Sequence, residues 1–366
     1  MILLSIKSEQ TKRTLFVGVK TKSVLLPNAT CHVPTGSQPQ RECSPCRSRS
    51  PTMPNSWTTN QMPDCTDKTV LITGANSGLG FEATKAFAAK GATIIMACRS
   101  LDRGQQAAAD IKATVGETGA TLNVRQCDLA SLDSVATFTD GVTDDYDGLD
   151  ILCNNAGVMA IPRQETEDGF EKQLGVNHLG HFALTGRLLN LLVDSDGESR
   201  IVTHSSGAHE AGELNFDDLH REQSYDKWEA YGQSKLANLL FAYELQRRLD
   251  ANTITGTISV ACHPGYAATN LQYRGPEESG SKLRLAMMKL ANAVVAQSAA
   301  KGVLPLLYAA TVDDVEGGDY YGPSGFKNMR GSPEKQTSND ASYDEQDAER
   351  LWENSEELTG VVYLPK

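Results

Sequence analysis

The sequence predicts an α/β protein built on one doubly wound parallel sheet, with helices on both faces. From Lys68 onward, short apolar runs alternate with longer amphipathic segments. The runs are apolar throughout, which indicates strands that are buried on both faces, as in parallel sheets. A glycine-rich turn follows the first run, at the place where doubly wound sheets bind their ligands. These observations together favour the doubly wound arrangement.

The elements can be assigned in order along the chain. Strands are predicted at Val70–Ile72, Ala92–Cys98, Thr121–Gln126, Leu149–Cys153, Arg200–Thr203 and Ile254–Ala261. Helices are predicted at Gly78–Lys90, Asp102–Ala113, Ser131–Phe138, Gly169–Leu192, Tyr231–Leu249, Lys282–Val295, Gly302–Ala310 and Ala348–Glu357. The Gly-, Pro- and Ser-rich segment Glu316–Asp340 is predicted to be a loop. Repeated strand-helix units of this size are typical of a Rossmann-type sheet.

The charge divides the chain into two parts. Residues 1–52 contain eight Lys or Arg and two Glu, whereas the remaining residues contain 26 basic and 44 acidic side chains. Residues 1–66 also lack helical or strand periodicity, so we expect a disordered basic extension there, followed by one domain at 67–366. A transit-type leader and a small metal site at Cys43-x-x-Cys46 are alternatives, as is a native start at Met53.

Composition also excludes several function classes. No apolar run approaches the roughly 18 residues that a membrane span needs. The net charge of −12 argues against nucleic acid as a partner. Cys98, Cys127, Cys153 and Cys262 lie in or beside predicted strands, which indicates core thiols in a reducing compartment, and we expect a cytoplasmic protein. Because the acidic side chains far outnumber the lysines after residue 52, we expect a halophilic one.

A dinucleotide site is predicted where the first strand meets the first helix. Gly74, Gly78 and Gly80 allow a tight turn and a close approach of the backbone to a pyrophosphate, and the helix presents free N–H groups to it. The same loop contributes Asn76, Ser77 and Leu79. Arg99, after the second strand, suits a ribose 2′-phosphate and favours NADP. The nearby Asp102 keeps NAD as an alternative.

A candidate reaction centre follows from a second set of residues. The spacing of Tyr231 and Lys235 places both on one face of a helix, where an ammonium would lower the pKa of a phenol and make it a general acid/base. Ser205 and Ser206 follow the fifth strand, where a hydroxyl can orient a reacting oxygen. Asn177 lies inside an apolar helix, where a buried amide needs a partner.

Together these residues resemble the short-chain dehydrogenase/reductase superfamily, and more narrowly its retinol-dehydrogenase-like branch. The finer similarity lies in Ala97–Arg99, Gly175–Phe182 and Ser234–Asn238. The superfamily motifs occur in order as Thr73-Gly74-x-x-x-Gly78-x-Gly80, Asp128-Leu129, Asn154-Asn155-Ala156-Gly157, Asn177, Ser206, Tyr231-x-x-x-Lys235 and Pro264-Gly265 with Thr269.

The resemblance implies a role for each matching position, and makes residues 67–366 the catalytic domain. Tyr231 would transfer the proton, and Lys235 would lower its pKa and hold the nicotinamide ribose. Ser206, rather than Ser205, would position the substrate oxygen, and Asn177 would support a water-linked proton relay. Asp128 would contact the adenine. The remaining cofactor contacts would come from Leu129, Asn154, Ala156, Gly157, Pro264, Gly265 and Thr269.

The implied activity is hydride transfer between a nicotinamide cofactor and an alcohol, ketone or aldehyde, with an apolar substrate expected and no metal required. Two alternatives stay open: a cofactor-binding sensor or scaffold without turnover, and a reductase of C=C bonds. The leucines of the Tyr231–Leu249 helix could belong to the core or to the seam of a homodimer or homotetramer.

Overall fold

An eight-stranded sheet forms the centre of the computed structural model, which describes residues 15–16, 57–195, 197–268 and 297–364. The strands lie in the order β8-β7-β6-β5-β4-β1-β2-β3, and all neighbours are parallel except β7 and β8. Their bounds are β1 Thr69–Thr73, β2 Thr93–Cys98, β3 Thr121–Gln126, β4 Ile151–Asn154, β5 Ser199–His204, β6 Thr257–Cys262, β7 Tyr320–Pro323 and β8 Pro333–Lys335. The predicted doubly wound parallel sheet is confirmed.

Helices cover both faces of this sheet. The helices are α1 Gly78–Ala88, α2 Leu101–Val115, α3 Leu132–Asp145, α4 Gly180–Val193, α5 Lys227–Ala251, α6 Leu304–Thr311 and α7 Glu345–Thr359. Alternate residues of β1 divide the core: Val70 and Ile72 pack towards α1, α2 and α6, whereas Leu71 packs towards α3, α4 and α5. No helix of these described segments is both long and apolar enough to cross a membrane.

The segment that leads into α4 corrects the helix predicted from Gly169. Gly169 has a φ of +84°, and helical structure begins only at Lys172–Leu174. The carboxylate of Glu171 accepts the N–H groups of Gln173 and Leu174 and so caps this start. A π-helical turn, Gly175–Leu179, then connects to α4.

The loop predicted over Glu316–Asp340 is wrong in part, because it contains β7 and β8. Tyr320 and Tyr321 of β7 pair with Ala261 and Cys262 of β6. These strands are only four and three residues long, and β8 closes the sheet edge with Pro333 opposite Pro323. Long-range pairing therefore overrides a turn-like local composition here.

The boundary of the predicted disordered extension also needs correction. Trp57, Met62 and Cys65 are buried in the core, and the ring of Trp57 lies 5.2 Å from that of Tyr308. Residues 57–66 are therefore part of the folded domain. A two-residue strand, Leu15–Phe16, pairs in parallel with Val361–Val362. The other residues before 57, and the predicted helix Lys282–Val295, lie outside the described residues.

The C-terminal segment packs against α4 and α5. The ring of Trp352 in α7 lies 5.1 Å from that of Phe182 in α4 and 5.9 Å from that of Phe241 in α5, and the ring of Tyr363 lies 4.9 Å from that of Phe182. The α5 leucines whose place the sequence left open are therefore core residues in this chain: Leu236, Leu239 and Leu240 are buried, as is Tyr243.

Candidate functional site

A glycine loop connects β1 to α1 at the carboxyl edge of the sheet. Gly74 has a φ of +67°, which favours glycine. A Cβ at Gly80 would lie 2.4 Å from the carbonyl oxygen of Gly74, so the first turn of α1 packs tightly on the loop. The loop thereby presents the N-terminus of α1 to the space outside the sheet, as anion-binding helices do.

This loop forms one wall of a cleft of about 1090 Å³, a volume that includes its open mouth. The cleft lies where the strand order reverses, between β1 and β4, which is where doubly wound sheets hold nucleotides. The predicted cofactor residues that line it are Gly74, Asn76, Ser77, Gly78, Leu79, Gly80, Arg99, Asp128, Leu129, Ala156 and Gly157. Its size and glycine wall suit a dinucleotide.

One corner of the cleft is basic. Arg99 after β2 and Arg103 in the first turn of α2 both line it, whereas Asp102 does not. Ser100 caps α2 by accepting the N–H of Arg103, which holds this turn in place. The sequence argument missed Arg103, although its spacing of four from Arg99 was a signal. Because Arg99 and Arg103 line the cleft and Asp102 does not, this segment fits a phosphate better than a ribose diol.

The predicted role of Asn154 in the cleft is wrong for its side chain. Asn154 is buried, and its amide donates to the Thr185 hydroxyl on α4 (2.9 Å). Its neighbour Asn155 lines the cleft instead and donates to the carbonyl of Thr73 (2.8 Å). The reason is that successive residues of a strand point to opposite faces, so only one of the two amides can face the cleft.

Pro264 and Gly265 follow β6 at the same edge of the sheet. Neither is among the residues that line the cleft, and the carbonyl of Pro264 accepts the Gln297 amide (2.7 Å). Thr269, the third residue of that predicted group, lies outside the described residues.

The candidate reaction centre lies on α5 and at the end of β5. The side chain of Ser206 lies close enough to the hydroxyl of Tyr231 to lower its pKa. The hydroxyl of Ser205 instead donates to the backbone carbonyl of Lys235 (2.8 Å). Of the two adjacent serines, the fold thus brings only Ser206 to the tyrosine hydroxyl.

Burial governs the protonation of this pair, and it corrects the expectation that Lys235 lowers the pKa of Tyr231. Removal from water raises the pKa of Tyr231 to about 12, and the Ser206 side chain lowers it only in part. Burial also lowers the pKa of Lys235 to about 8. The Lys235 ammonium donates to the His204 carbonyl (3.0 Å) and lies 5.9 Å from the centre of the Tyr231 ring.

Asn177 completes the cluster from the π-helical turn. Its side-chain oxygen accepts the N–H of Val158 (2.8 Å), and its amide donates to the hydroxyl of Ser234 (2.8 Å). A Cβ placed on Gly157 would lie 3.0 Å from the Asn177 oxygen and 3.6 Å from the Lys235 nitrogen. The reaction centre therefore adjoins the cleft at Gly157.

Two buried histidines connect these parts. His181 contacts the Thr73 hydroxyl with Nε2 (2.9 Å) and the Asn177 carbonyl with Nδ1 (3.0 Å). His204 contacts the Asn155 side chain (3.2 Å). Burial lowers the pKa of His181 to about 4 and that of His204 to about 3, so both are neutral at pH 7. They act as fixed supports between the glycine loop and the reaction centre.

Comparison with known proteins agrees with this geometry. A family model described as short chain dehydrogenase matches residues 68–279. The chain is 40% identical over 305 residues to retinol dehydrogenase 14 of Mus musculus, which covers 81% of this chain and 86% of that protein.

Two solved structures illustrate the fold. A putative uncharacterized protein from Mycobacterium paratuberculosis is 39% identical, with a TM-score of 0.69 over 85% of this chain and 100% of its own. A short chain dehydrogenase from Shigella flexneri, complexed with NADP, is 23% identical, with a TM-score of 0.53 over 71% of this chain and 98% of its own. The chain belongs to the short-chain dehydrogenase/reductase family and is an oxidoreductase homologous to the retinol dehydrogenases.

Proposed function

We propose that this protein interconverts an apolar alcohol and its ketone or aldehyde, with NADP as the cofactor. The observation that carries the proposal is the placement of Ser206 near the Tyr231 hydroxyl, beside a cleft with a glycine loop. A phenol and a hydroxyl that converge on one point can hold a carbonyl oxygen and exchange a proton with it. The names of the homologous retinol dehydrogenases support an apolar substrate.

NADP is favoured over NAD by the basic corner of the cleft. Arg99 and Arg103 line the cleft and would hold the 2′-phosphate, and Asp128 and Leu129 line the same cleft. The Shigella flexneri structure, which is complexed with NADP, supports the same choice, although NAD is the alternative to be tested.

The side chains of the reaction centre have separate roles in the proposed reaction. Because burial raises the pKa of Tyr231 to about 12, its hydroxyl carries a proton at pH 7 and donates it to the carbonyl oxygen in the reduction. Ser206 orients that oxygen, and Lys235 holds positive charge nearby because its pKa of about 8 keeps it mainly protonated. A bound nicotinamide ring supplies or accepts the hydride.

Replacing Tyr231 by Phe tests the proposal. Turnover of a panel of alcohols, ketones and aldehydes with NADPH and NADH would be measured for wild type and for Tyr231→Phe. We expect kcat to fall about 10²- to 10⁴-fold, because the proton donor is lost, while NADPH still binds. Tyr243→Phe is the matched control, since Tyr243 lies on the same helix but bonds to Ser338.

The outcomes separate the competing functions. Equal activity of wild type and Tyr231→Phe would contradict the proton role of Tyr231. NADPH binding by wild type without turnover of any member of the panel would favour a sensor or scaffold. Turnover confined to conjugated C=C bonds would favour the third function, a reductase of such bonds.

A further inference from the structure

Trp228 is unusual among the large apolar side chains of the described residues. It is 52% exposed, the largest fraction in that class, whereas the other two tryptophans, Trp57 and Trp352, are 6% and 2% exposed. A side chain of this size normally gains stability by burial, so an indole held in solvent needs a reason.

The indole lies one helical turn before the proposed proton donor. Trp228 and Tyr231 are three residues apart on α5, a spacing that places both on one helix face. Their rings meet edge to face, with centroids 6.3 Å apart and planes at 76°. Since Tyr231 belongs to the reaction centre, the indole lies beside that centre.

The backbone that carries Trp228 is held firmly. The Asp226 carboxylate accepts the N–H of Trp228 (2.8 Å) and of Glu229 (3.1 Å), which caps α5. Glu229 also pairs with Arg221 (2.8 Å). A rigid aromatic group beside the reacting atoms is suited to contact a ligand, because little conformational freedom is lost on binding.

We propose that Trp228 is a substrate-contacting residue, and that it selects alcohols and carbonyl compounds whose reacting carbon carries a long apolar group. Such a group covers the exposed indole while its oxygen lies between Tyr231 and Ser206. A short substrate reaches the same oxygen position without touching the indole. The inference rests on the proposed function for its reaction and names the substrate class of the same site.

The first test compares octanal and butanal as substrates with NADPH, for wild type, Trp228→Ala and Trp228→Phe. We expect Trp228→Ala to lower kcat/KM for octanal about 10- to 100-fold, mainly through KM, and to change it little for butanal. Trp228→Phe should restore most of the octanal value, because it keeps an aromatic face. Equal losses with both aldehydes, or no loss with octanal, would overturn the proposal.

The second test measures the binding of an apolar alcohol without turnover. Because the other tryptophans are buried, Trp228 dominates the exposed part of the fluorescence, and 1-octanol should shift the emission of wild type to shorter wavelength. The shift should persist in Tyr231→Phe and vanish in Trp228→Phe. Absence of the shift in wild type overturns the inference. A shift in a wild type that turns over neither aldehyde would contradict the proposed function and leave the binding role of Trp228 supported.

Discussion

Single buried side chains set the chemistry of this site through desolvation. The same loss of water raises the pKa of Tyr231 to about 12 and lowers that of Lys235 to about 8. Helical spacing showed that the two residues share a face, but spacing carries no information on burial, which dominates here. The phenol is therefore neutral at pH 7, which is the form that donates a proton in the proposed reduction.

Buried histidines make the stability of the fold depend on pH. Burial lowers the pKa of His178, His181, His204 and His263 to between about 3 and about 4. In the unfolded chain these imidazoles take up protons below a pKa of about 6.5. The unfolded state therefore binds more protons in this window, and stability present above pH 6.5 is lost as the pH falls towards 4.

His178→Gln tests this effect at one residue. His178 contacts the Ser355 hydroxyl of α7 (2.8 Å) and is not among the residues that line the cleft. Each such histidine contributes about 1.4 kcal/mol per pH unit below 6.5, so the slope of unfolding free energy against pH should decrease by about that amount in the variant. Urea unfolding between pH 7 and pH 5 measures it. Identical slopes for wild type and variant would contradict the argument.

At the scale of elements, the packing of the C-terminal segment requires a glycine in α4. A Cβ on Gly186 would lie 2.4 Å from the ring of Tyr363 and 2.8 Å from Val361. The C-terminal segment therefore rests directly on the backbone of α4. Local sequence would favour alanine inside this helix, and tertiary packing excludes it.

Two alanine substitutions distinguish the effect of tertiary packing from that of helix propensity. Gly186→Ala should lower the free energy of unfolding by about 1–3 kcal/mol, because Tyr363 must move. Gly141→Ala in α3 is the matched control, since the nearest atom to its new Cβ would be a side-chain nitrogen of Arg125 at 3.6 Å. It should raise stability by about 0.5–1 kcal/mol. Changes of the same sign, measured by urea unfolding, would count against the packing argument.

At the scale of the whole molecule, the acidic excess predicts a dependence on salt. Residues 53–366 contain 44 acidic and 26 basic side chains. Repulsion among them weakens the folded state at low ionic strength, and screening at about 1 M salt confines it to about 3 Å.

Titration with KCl checks this prediction. We expect both the melting temperature and the activity to rise from low salt to multimolar KCl, because the self-repulsion of the folded chain is screened. Full stability and full activity in the absence of salt would contradict a halophilic protein.

The sequence by itself determined the sheet, the glycine loop and the sites of Tyr231, Lys235 and Ser206. These follow from apolar runs, glycine positions and spacings within one element, which are local properties of the chain. The predicted third strand coincides with the observed β3, Thr121–Gln126. The other five predicted strands differ from the observed β1, β2, β4, β5 and β6 only at their ends.

Only the tertiary structure decided which of two adjacent side chains faces the cleft and how far each side chain is removed from water. It turned Asn154 towards Thr185 and Asn155 towards the cleft, and it placed both Arg99 and Arg103 in the lining of that cleft. It also made strands of Tyr320–Pro323 and Pro333–Lys335 by pairing them with distant residues. Burial and long-range pairing depend on parts of the chain far apart in sequence, and so no local pattern contains them.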